Sequence, residues 1–300
     1  MREITIGDFK ISRNLLSKPY IIAEAGVNHE GDIEKAKLLI RQAAVSGANA
    51  VKFQTYKADT IASKNSPAYW DTTKEPTKSQ HELFMKHQGF WIDEMQELKN
   101  YCDTVGIEFM STPFDIESAT FLDKMMDVFK ISSSDLTNKP FLLKAAKKNK
   151  PIILSTGMAT MEEIKKSINW IKKTGNSQII CLHCTTSYPC PIEDINLQAM
   201  ITMREKLDCL IGYSDHSLDI LVPIVAASIG ARVIEKHFTI DKNLEGPDHK
   251  ASIEPLELKK MVENIRKVEL AAASFLIFFS FLLAQAILIK DNLRGEVGAG

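Results

Sequence analysis

The sequence predicts a (β/α)8 barrel, and three observations support this fold class. Eight short, almost continuously apolar runs are each followed by a segment whose apolar residues have helical spacing. Strands that are apolar on both faces are typical of parallel sheets, and alternation of strand and helix implies right-handed crossovers. The repeats extend over roughly 250 residues, the size of such a barrel. A doubly wound open sheet is the main alternative.

The predicted strands are residues 20–25, 50–54, 107–111, 128–131, 152–155, 178–183, 209–213 and 232–234. The predicted helices are residues 33–46, 91–105, 116–126, 139–148, 161–174, 197–206 and 217–229, with a last one from residue 255. We expect residues 3–9 and 10–12 to form a small hairpin that closes the barrel floor. A long polar insertion, residues 56–88, is expected either to cover the substrate or to be decoration.

Composition excludes several classes of protein. The chain has 300 residues, enough for one large barrel or for one domain with a small appendage. A formal net charge of −1 argues against a broad basic surface for nucleic acid. Five cysteines, an odd number, indicate reduced thiols and a cytoplasmic protein. Cys181 and Cys184 have zinc-like spacing, but no second pair follows them. The N-terminus has no apolar segment typical of a secretory signal.

Residues 271–289 read AAASFLIFFSFLLAQAILI and differ from everything before them. We therefore divide the chain into a barrel domain, residues 1–270, and an apolar tail, residues 271–300, that we expect to be helical. The apolar run is long enough to span a bilayer, which would add membrane association to a cytoplasmic barrel. The alternatives are a helix buried in an oligomer contact and a tail that is not native to the barrel.

Two histidines follow the last two predicted strands, His216 in SDHSLD and His237 in EKHFT. If these strands are neighbours in a barrel, both imidazoles converge at its rim. Two neutral imidazoles can hold a divalent metal with several positions left open, and such a metal can polarise a carbonyl oxygen. The alternative interpretation is that each histidine is a rim residue bonded to a loop.

Two lysines lie within apolar strands, where burial is costly unless an anion pairs with them. Lys52 and Lys130 either extend their ammonium groups to the strand ends or form a cationic site for a small polyanion. Hydroxyl groups that could donate to phosphate oxygens occur at several strand ends, at Ser111, Ser133, Ser155 and Ser214. Together these residues indicate a phosphate-bearing ligand beside a metal.

The motifs AEAGVNHEG, VKFQT, STPFD, ILSTGM, SDHSLD, EKHFT and EGPDHKAS occur in order between residues 15 and 270. Jointly they resemble the N-acetylneuraminate synthase family, the bacterial sialic acid synthases. The resemblance implies a barrel that condenses phosphoenolpyruvate with an N-acylated mannosamine-type sugar, using Mn²⁺, Mg²⁺ or Co²⁺. Phosphate is released and a sialic-type 2-keto sugar acid is formed.

The resemblance also implies roles for individual residues. His216 and His237 would be metal ligands, and the residues at the reacting atoms would be Glu24, Lys52, Lys130 and His237. Phosphoenolpyruvate would be held by Lys52, Thr112, Lys130, Ser133, Ser155 and Ser214. The sugar or the outer shell of the metal would contact Gln54, Tyr188, Glu235 and Asp248.

The chain departs from the family pattern at two places. Where many members read GSGE, it reads SSSD with Asp135, as do relatives that make legionaminate-type sugars. The acceptor is therefore expected to be N-acetylmannosamine or a 2,4-diacetamido-trideoxy relative. The antifreeze-like domain that family members exchange within a homodimer is not recognisable in residues 271–300, so we expect a homodimer with impaired sugar binding. Another phosphoenolpyruvate-dependent synthase and a non-catalytic truncated barrel are the alternatives.

Overall fold

Eight parallel strands form a nearly closed barrel in the computed structural model, which describes residues 3–14, 17–68, 72–73 and 75–271. In the order in which they pair, the strands are β5, β4, β3, β10, β9, β8, β7 and β6, and the two end strands pack against each other. In chain order they are β3 (Tyr20–Gly26), β4 (Ala50–Thr55), β5 (Glu108–Pro113), β6 (Phe129–Ile131), β7 (Ile152–Ser155), β8 (Ile179–His183), β9 (Leu210–Asp215) and β10 (Val233–His237). The predicted barrel is confirmed and the open sheet is excluded.

Helices surround the barrel at nearly all the predicted places. They are α1 (Ile33–Val45), α2 (Ala58–Ile61), α3 (Gln80–His87), α4 (Ile92–Val105), α5 (Ile116–Leu122), α6 (Lys139–Ala146), α7 (Met161–Lys172), α8 (Gln198–Lys206) and α9 (Leu221–Ser228), followed by helical residues 255–271. The insertion predicted to be a polar loop contains α2 and α3. The predicted start of α9 at residue 217 is wrong, because the Asp215 carboxylate holds Ser217 in a turn before the helix.

The predicted hairpin closes the floor of the barrel. It consists of the antiparallel strands β1 (Glu3–Ile6) and β2 (Phe9–Ser12). Ile4, Ile6 and Ile11 are buried against an apolar cluster inside the barrel. This cluster fills the lower part of the barrel, so that polar side chains can occupy only its upper mouth.

Successive side chains along each strand point alternately into the barrel and toward the helices. One set of positions, such as Ile22 in β3 and Val233 in β10, belongs to the apolar cluster inside the barrel. The intervening positions, such as Ile21 and Ile234, pack in the larger cluster between the barrel and its helices. The inward series therefore continues from apolar residues at the floor to the predicted site residues at the strand ends.

The apolar run of residues 271–289 lies, apart from Ala271, outside the described residues. The rest of the predicted tail helix lies there as well, and the division of the chain into two domains between residues 270 and 271 stays a prediction. Within the residues that the structure describes, no helix has the length and apolar character needed to cross a membrane.

Candidate active site

A cavity of about 140 Å³ opens at the carboxyl ends of the barrel strands. All of the predicted site residues except Asp135 and Asp248 line it. They are Glu24, Lys52, Gln54, Thr112, Lys130, Ser133, Ser155, Tyr188, Ser214, His216, Glu235 and His237. Most of these residues continue the inward series of their strands, which explains why side chains from all eight strand ends meet in one place.

Two lysines and two glutamates are buried together at the base of this cavity. Lys52 forms an ion pair with Glu24 and donates a hydrogen bond to Thr112 Oγ1 at 3.0 Å. The carboxylate of Glu235 lies between the lysines, with Oε2 3.7 Å from Lys52 Nζ and Oε1 3.5 Å from Lys130 Nζ. All four charged side chains are at most 6% exposed. Each ammonium group therefore has a carboxylate partner, which offsets the cost of removing it from water.

The two carboxylates differ in acidity because their partners differ. Burial raises the pKa of Glu24 to about 7, and the charge of Glu235 acts in the same direction while Lys52 opposes both. Burial also disfavours the charged form of Glu235, but Lys130 and Lys52 outweigh it. With a further hydrogen bond from Ser214 Oγ at 2.9 Å, the pKa of Glu235 falls to about 2. Glu24 can therefore gain or lose a proton near neutral pH, whereas Glu235 remains ionised.

The two predicted histidines lie side by side in the cavity. Their ring centroids are 5.6 Å apart, and the ring of Tyr188 lies 4.0 Å from that of His216. His216 Nδ1 is 2.6 Å from the carbonyl oxygen of Thr185, whereas His237 Nδ1 lies 3.8 Å from Asp248 Oδ2. Burial lowers the pKa of both imidazoles, for His237 to about 4. Both rings are therefore neutral at physiological pH.

The donor set fits a divalent metal with an open coordination sphere. The contact with Thr185 places the proton of His216 on Nδ1 and leaves the Nε2 lone pair for a ligand. Nδ1 of His237 is buried and, among the described residues, has no hydrogen-bond partner. No group of three or more His, Cys, Asp or Glu side chains in the described part of the chain is arranged to hold a metal. A metal here would therefore have two imidazole ligands and several open positions.

Hydroxyl groups line the side of the cavity opposite the histidines. Ser133 Oγ accepts a hydrogen bond from the backbone N–H of Gly157 at 3.0 Å and lies 3.3 Å from Cys184 Sγ. A Cβ atom on Gly157 would lie 2.3 Å from Thr186 Oγ1, so only glycine fits between these side chains. Ser111 is not part of this group, since its hydroxyl faces away and bonds to Thr55 Oγ1 at 2.7 Å.

Asp135 and Asp248 lie beside the cavity without lining it. Asp135 Oδ1 accepts a hydrogen bond from Asn138 Nδ2 at 3.1 Å, in the 3₁₀ turn that follows β6. Asp135 is not among the residues that line the cavity, and its predicted part in the choice of sugar stays a prediction. Asp248 approaches the site at His237, at the distance given above. Its predicted role, at the sugar or in the outer shell of the metal, stays a prediction.

Several cavity-lining residues were not predicted. They are Phe114, Ser132, Ser134, Met158 and Cys184. Cys184 could have been found from the sequence, because it continues the inward series after Leu182 of β8. Phe114 and Met158 follow strand ends in loops, where alternation no longer determines the direction of a side chain.

The barrel and its cavity define an enzyme of the (β/α)8 class with a charged active site at the carboxyl ends of the strands. A model of the NeuB family matches residues 39–275. The N,N'-diacetyllegionaminic acid synthase of Campylobacter jejuni is 46% identical over 262 residues, which cover 85% of this chain and 78% of that protein. The N-acetylneuraminate-9-phosphate synthase of Homo sapiens is 38% identical over 258 residues, which cover 85% of this chain and 71% of that protein.

A solved structure leads to the same assignment. The N-acetylneuraminic acid synthetase of Leptospira borgpetersenii, in complex with citrate, superimposes with a TM-score of 0.81 and 37% identity over 90% of each chain. The chain belongs to the NeuB family, which comprises enzymes of the sialic acid synthase type.

The raised pKa of Glu24 predicts a pH-dependent difference between the protein and a Glu24→Gln variant. The pKa of Glu24 is about 7 when folded, against an ordinary value of 4.5. Between pH 4.5 and 7 the folded state therefore holds a proton on Glu24 that the unfolded state has lost. Protonation of Glu24 contributes its full stabilisation below pH 4.5, and this contribution is lost as the pH rises through 7. Glu24→Gln lacks this dependence. Its free energy of unfolding relative to the unmodified protein should rise between pH 5 and 7 and level off towards pH 8.

Urea unfolding at pH 5, 6, 7 and 8 measures this difference. Glu193→Gln, a change at an exposed position on the 3₁₀ turn Ile192–Asp194, serves as the control and should give a constant difference. A constant difference for Glu24→Gln as well would contradict the raised pKa.

Proposed function

We propose that this protein condenses phosphoenolpyruvate with an N-acylated mannosamine-type sugar to give a sialic-type nonulosonic acid and phosphate. The observation that carries this proposal is the joint burial of Lys52 and Lys130 beside two neutral imidazoles at the barrel mouth. The protein belongs to the NeuB family, and its relatives carry the names of nonulosonic acid synthases. Both findings support the same chemistry.

Phosphoenolpyruvate would bind where the two ammonium groups and the hydroxyls converge. Its phosphate and carboxylate are the anions that Lys52 and Lys130 can bind through charge-assisted hydrogen bonds. Thr112, Ser133 and Ser155 line the same cavity and add hydroxyl donors. Since each lysine already has a carboxylate partner, the ligand must compete with Glu24 and Glu235, as a doubly anionic group in a buried site can do.

His216 and His237 would hold a divalent metal, Mn²⁺, Mg²⁺ or Co²⁺. The metal would supply Lewis-acid polarisation of the open-chain sugar aldehyde. The two neutral imidazoles and the unpartnered Nδ1 of His237 support this assignment.

The remaining chemistry requires a proton acceptor and stabilisation of charge. Carbon 3 of phosphoenolpyruvate attacks the aldehyde carbon, whose oxygen takes up a proton, and the C–C bond forms as positive charge develops at carbon 2. Water adds to carbon 2 and one of its protons passes to Glu24. The C–O bond to phosphate then breaks, and the second proton of the water leaves with the phosphate as the 2-keto group forms. A carboxylate with a pKa near 7 suits this proton transfer. The lysines oppose the negative charge on the departing phosphate.

We propose further that the acceptor is uncharged and of the 2,4-diacetamido-trideoxy type. Among the described residues that line the cavity, the cations are Lys52 and Lys130, and both have carboxylate partners. No additional cation is available there for an acceptor phosphate. Phe114, Met158 and Tyr188 offer apolar surface beside the amide of Gln54, a combination that suits acylamino and deoxy groups. The 46% identity to a diacetyllegionaminic acid synthase also supports this choice.

A homodimer in the cytoplasm is also proposed for this protein. All five cysteines are free and buried, in agreement with a reducing compartment. Apolar side chains are exposed in α9 and just before it, at Leu218, Leu221 and Val225. A second copy of the chain would cover such a surface. Light scattering of the purified protein measures the number of subunits.

A phosphate-release assay tests the proposed reaction. The purified protein is given phosphoenolpyruvate, Mn²⁺ and one acceptor at a time: 2,4-diacetamido-2,4,6-trideoxymannose, N-acetylmannosamine, its 6-phosphate, or a phosphorylated aldose without an acylamino group. We expect the highest kcat/KM with the diacetamido sugar and a nonulosonic acid in the product. Release only with the phosphorylated aldose would instead indicate a synthase of deoxy-keto sugar phosphates. Absence of release with every acceptor would contradict the enzymatic proposal.

Lys130→Met should weaken phosphoenolpyruvate binding selectively. Loss of a charge-assisted hydrogen bond to an anion is expected to raise the KM for phosphoenolpyruvate about tenfold or more, with a smaller change in the KM for the sugar. Steady-state kinetics with each substrate varied in turn measures both constants. Lys139→Met, at an exposed position beside Trp170, is the matched control. Equal increases in both KM values would count against the assigned role of Lys130.

His237→Ala should abolish the stimulation of turnover by Mn²⁺ while the protein remains folded. The variant removes one of two imidazoles, so the rate with Mn²⁺ is expected to fall to the rate measured in EDTA. Circular dichroism checks the fold, and His81→Ala, which changes a histidine in α3 paired with Asp59, is the control. A variant that Mn²⁺ still stimulates would rule out His237 as a metal ligand.

A further inference from the structure

A buried ion pair connects the last two strands on the side that faces the helices. Lys236 of β10 and Asp215 of β9 are register partners, and both side chains are 0% exposed. They occupy the positions between the inward-facing residues, so neither reaches the cavity. The proposed reaction does not use them, and their nearest contacts are with each other and with the turn after β9.

The ion pair holds that turn through several hydrogen bonds. Asp215 Oδ1 accepts from the Tyr213 hydroxyl at 2.9 Å and from the Ser217 N–H at 3.2 Å. Asp215 Oδ2 accepts from the Ser217 hydroxyl at 2.9 Å and from Lys236 Nζ at 2.5 Å. Lys236 also donates to the carbonyl oxygen of Ser217. The residue between Asp215 and Ser217 is His216, so the backbone on both sides of this imidazole is fixed.

Each member of the pair directly precedes one of the two imidazoles of the proposed metal site. Asp215 is followed by His216, and Lys236 is followed by His237. The contact between the two preceding side chains therefore adds to the backbone pairing of the two strands at the point where the imidazoles leave them. Nδ1 of His237 has no hydrogen-bond partner among the described residues, so the position of this imidazole depends on its backbone.

We propose that Asp215 and Lys236 are positioning residues that set the separation of His216 and His237 and thereby the affinity for the divalent metal. This inference rests on the proposed metal site and adds two residues that do not touch the metal. A fully buried ion pair contributes little net stability compared with apolar residues of the same size, so stability alone does not explain its presence. Partners that orient metal ligands are required for tight binding, and changing them typically weakens affinity about 10- to 100-fold.

Binding of Mn²⁺ alone, without substrates, tests the inference. Free Mn²⁺ is followed by electron paramagnetic resonance during titration of the full chain. The test protein is the double variant Asp215→Asn/Lys236→Met, which leaves no unpaired buried charge, and whose amide keeps an acceptor for Tyr213 and Ser217. We expect a far-ultraviolet circular dichroism spectrum like that of the unmodified protein, and an affinity for Mn²⁺ about 10- to 100-fold weaker.

Two further variants separate positioning from folding. Ser217→Ala removes one hydrogen bond to Asp215 and should weaken Mn²⁺ binding in the same direction by a smaller factor. Lys150→Met removes a partly buried ion pair with Asp123 on the far side of the barrel. It should lower the unfolding temperature and leave Mn²⁺ affinity unchanged.

The outcomes distinguish this inference from the proposed function. Unchanged Mn²⁺ affinity in the folded double variant would overturn the positioning role and leave the proposed reaction intact. If the double variant does not fold, Ser217→Ala decides, and unchanged affinity there overturns the inference. Absence of Mn²⁺ binding by the unmodified protein would overturn the metal site and this inference together, while the phosphate-release assay would still report on the reaction.

Discussion

Two lysines can remain inside this barrel only because two glutamates are buried with them. Lys52 and Lys130 share Glu235, and Lys52 also pairs with Glu24. An unpaired ammonium group at this depth would lose its proton or destabilise the fold. When all four groups are ionised their charges cancel, so the cavity can persist without a ligand. The same arrangement keeps cations ready for an anionic substrate, which has only to replace the carboxylates as their partner.

The cost of burying a negative charge is distributed unequally between the two carboxylates. Glu235 has two lysines and the hydroxyl of Ser214 as partners and remains ionised, whereas Glu24 has a pKa of about 7. A second anion brought beside Lys52 would compete with Glu24 for this ammonium group. Binding of the proposed substrate and protonation of Glu24 are therefore coupled. The carboxylate that is least stabilised by its surroundings is the one with the properties of a catalytic acid or base.

Much of this arrangement could be predicted from the sequence because strand alternation assigns each side chain to one face. Once eight strands are recognised, the inward series leads directly to Glu24, Lys52 and His237. Alternation also identifies Lys236 and Asp215 as charged residues on the face toward the helices, although nothing in the sequence shows that they pair. Asp135 follows its strand in a 3₁₀ turn, where alternation no longer applies, and its local bond to Asn138 determined its direction. Alternation therefore determines the direction of a side chain on the strands, whereas local hydrogen bonds determine it in the turns that follow them.

The register of β3 and β4 adds a constraint that sequence patterns do not reveal. Glu24 pairs with Lys52, but the register then shifts so that Gly26 pairs with Phe53. Gly26 has a φ of +54°, and a Cβ atom there would lie 3.2 Å from Asp248 Oδ2 and 3.4 Å from Gln54 Nε2. A side chain at this position would push against the amide that donates to Glu24 Oε1 at 3.2 Å. The irregularity at the end of β3 thus lets Gln54 reach Glu24 and Asp248 approach His237, and it joins the carboxylate side of the cavity to the imidazole side.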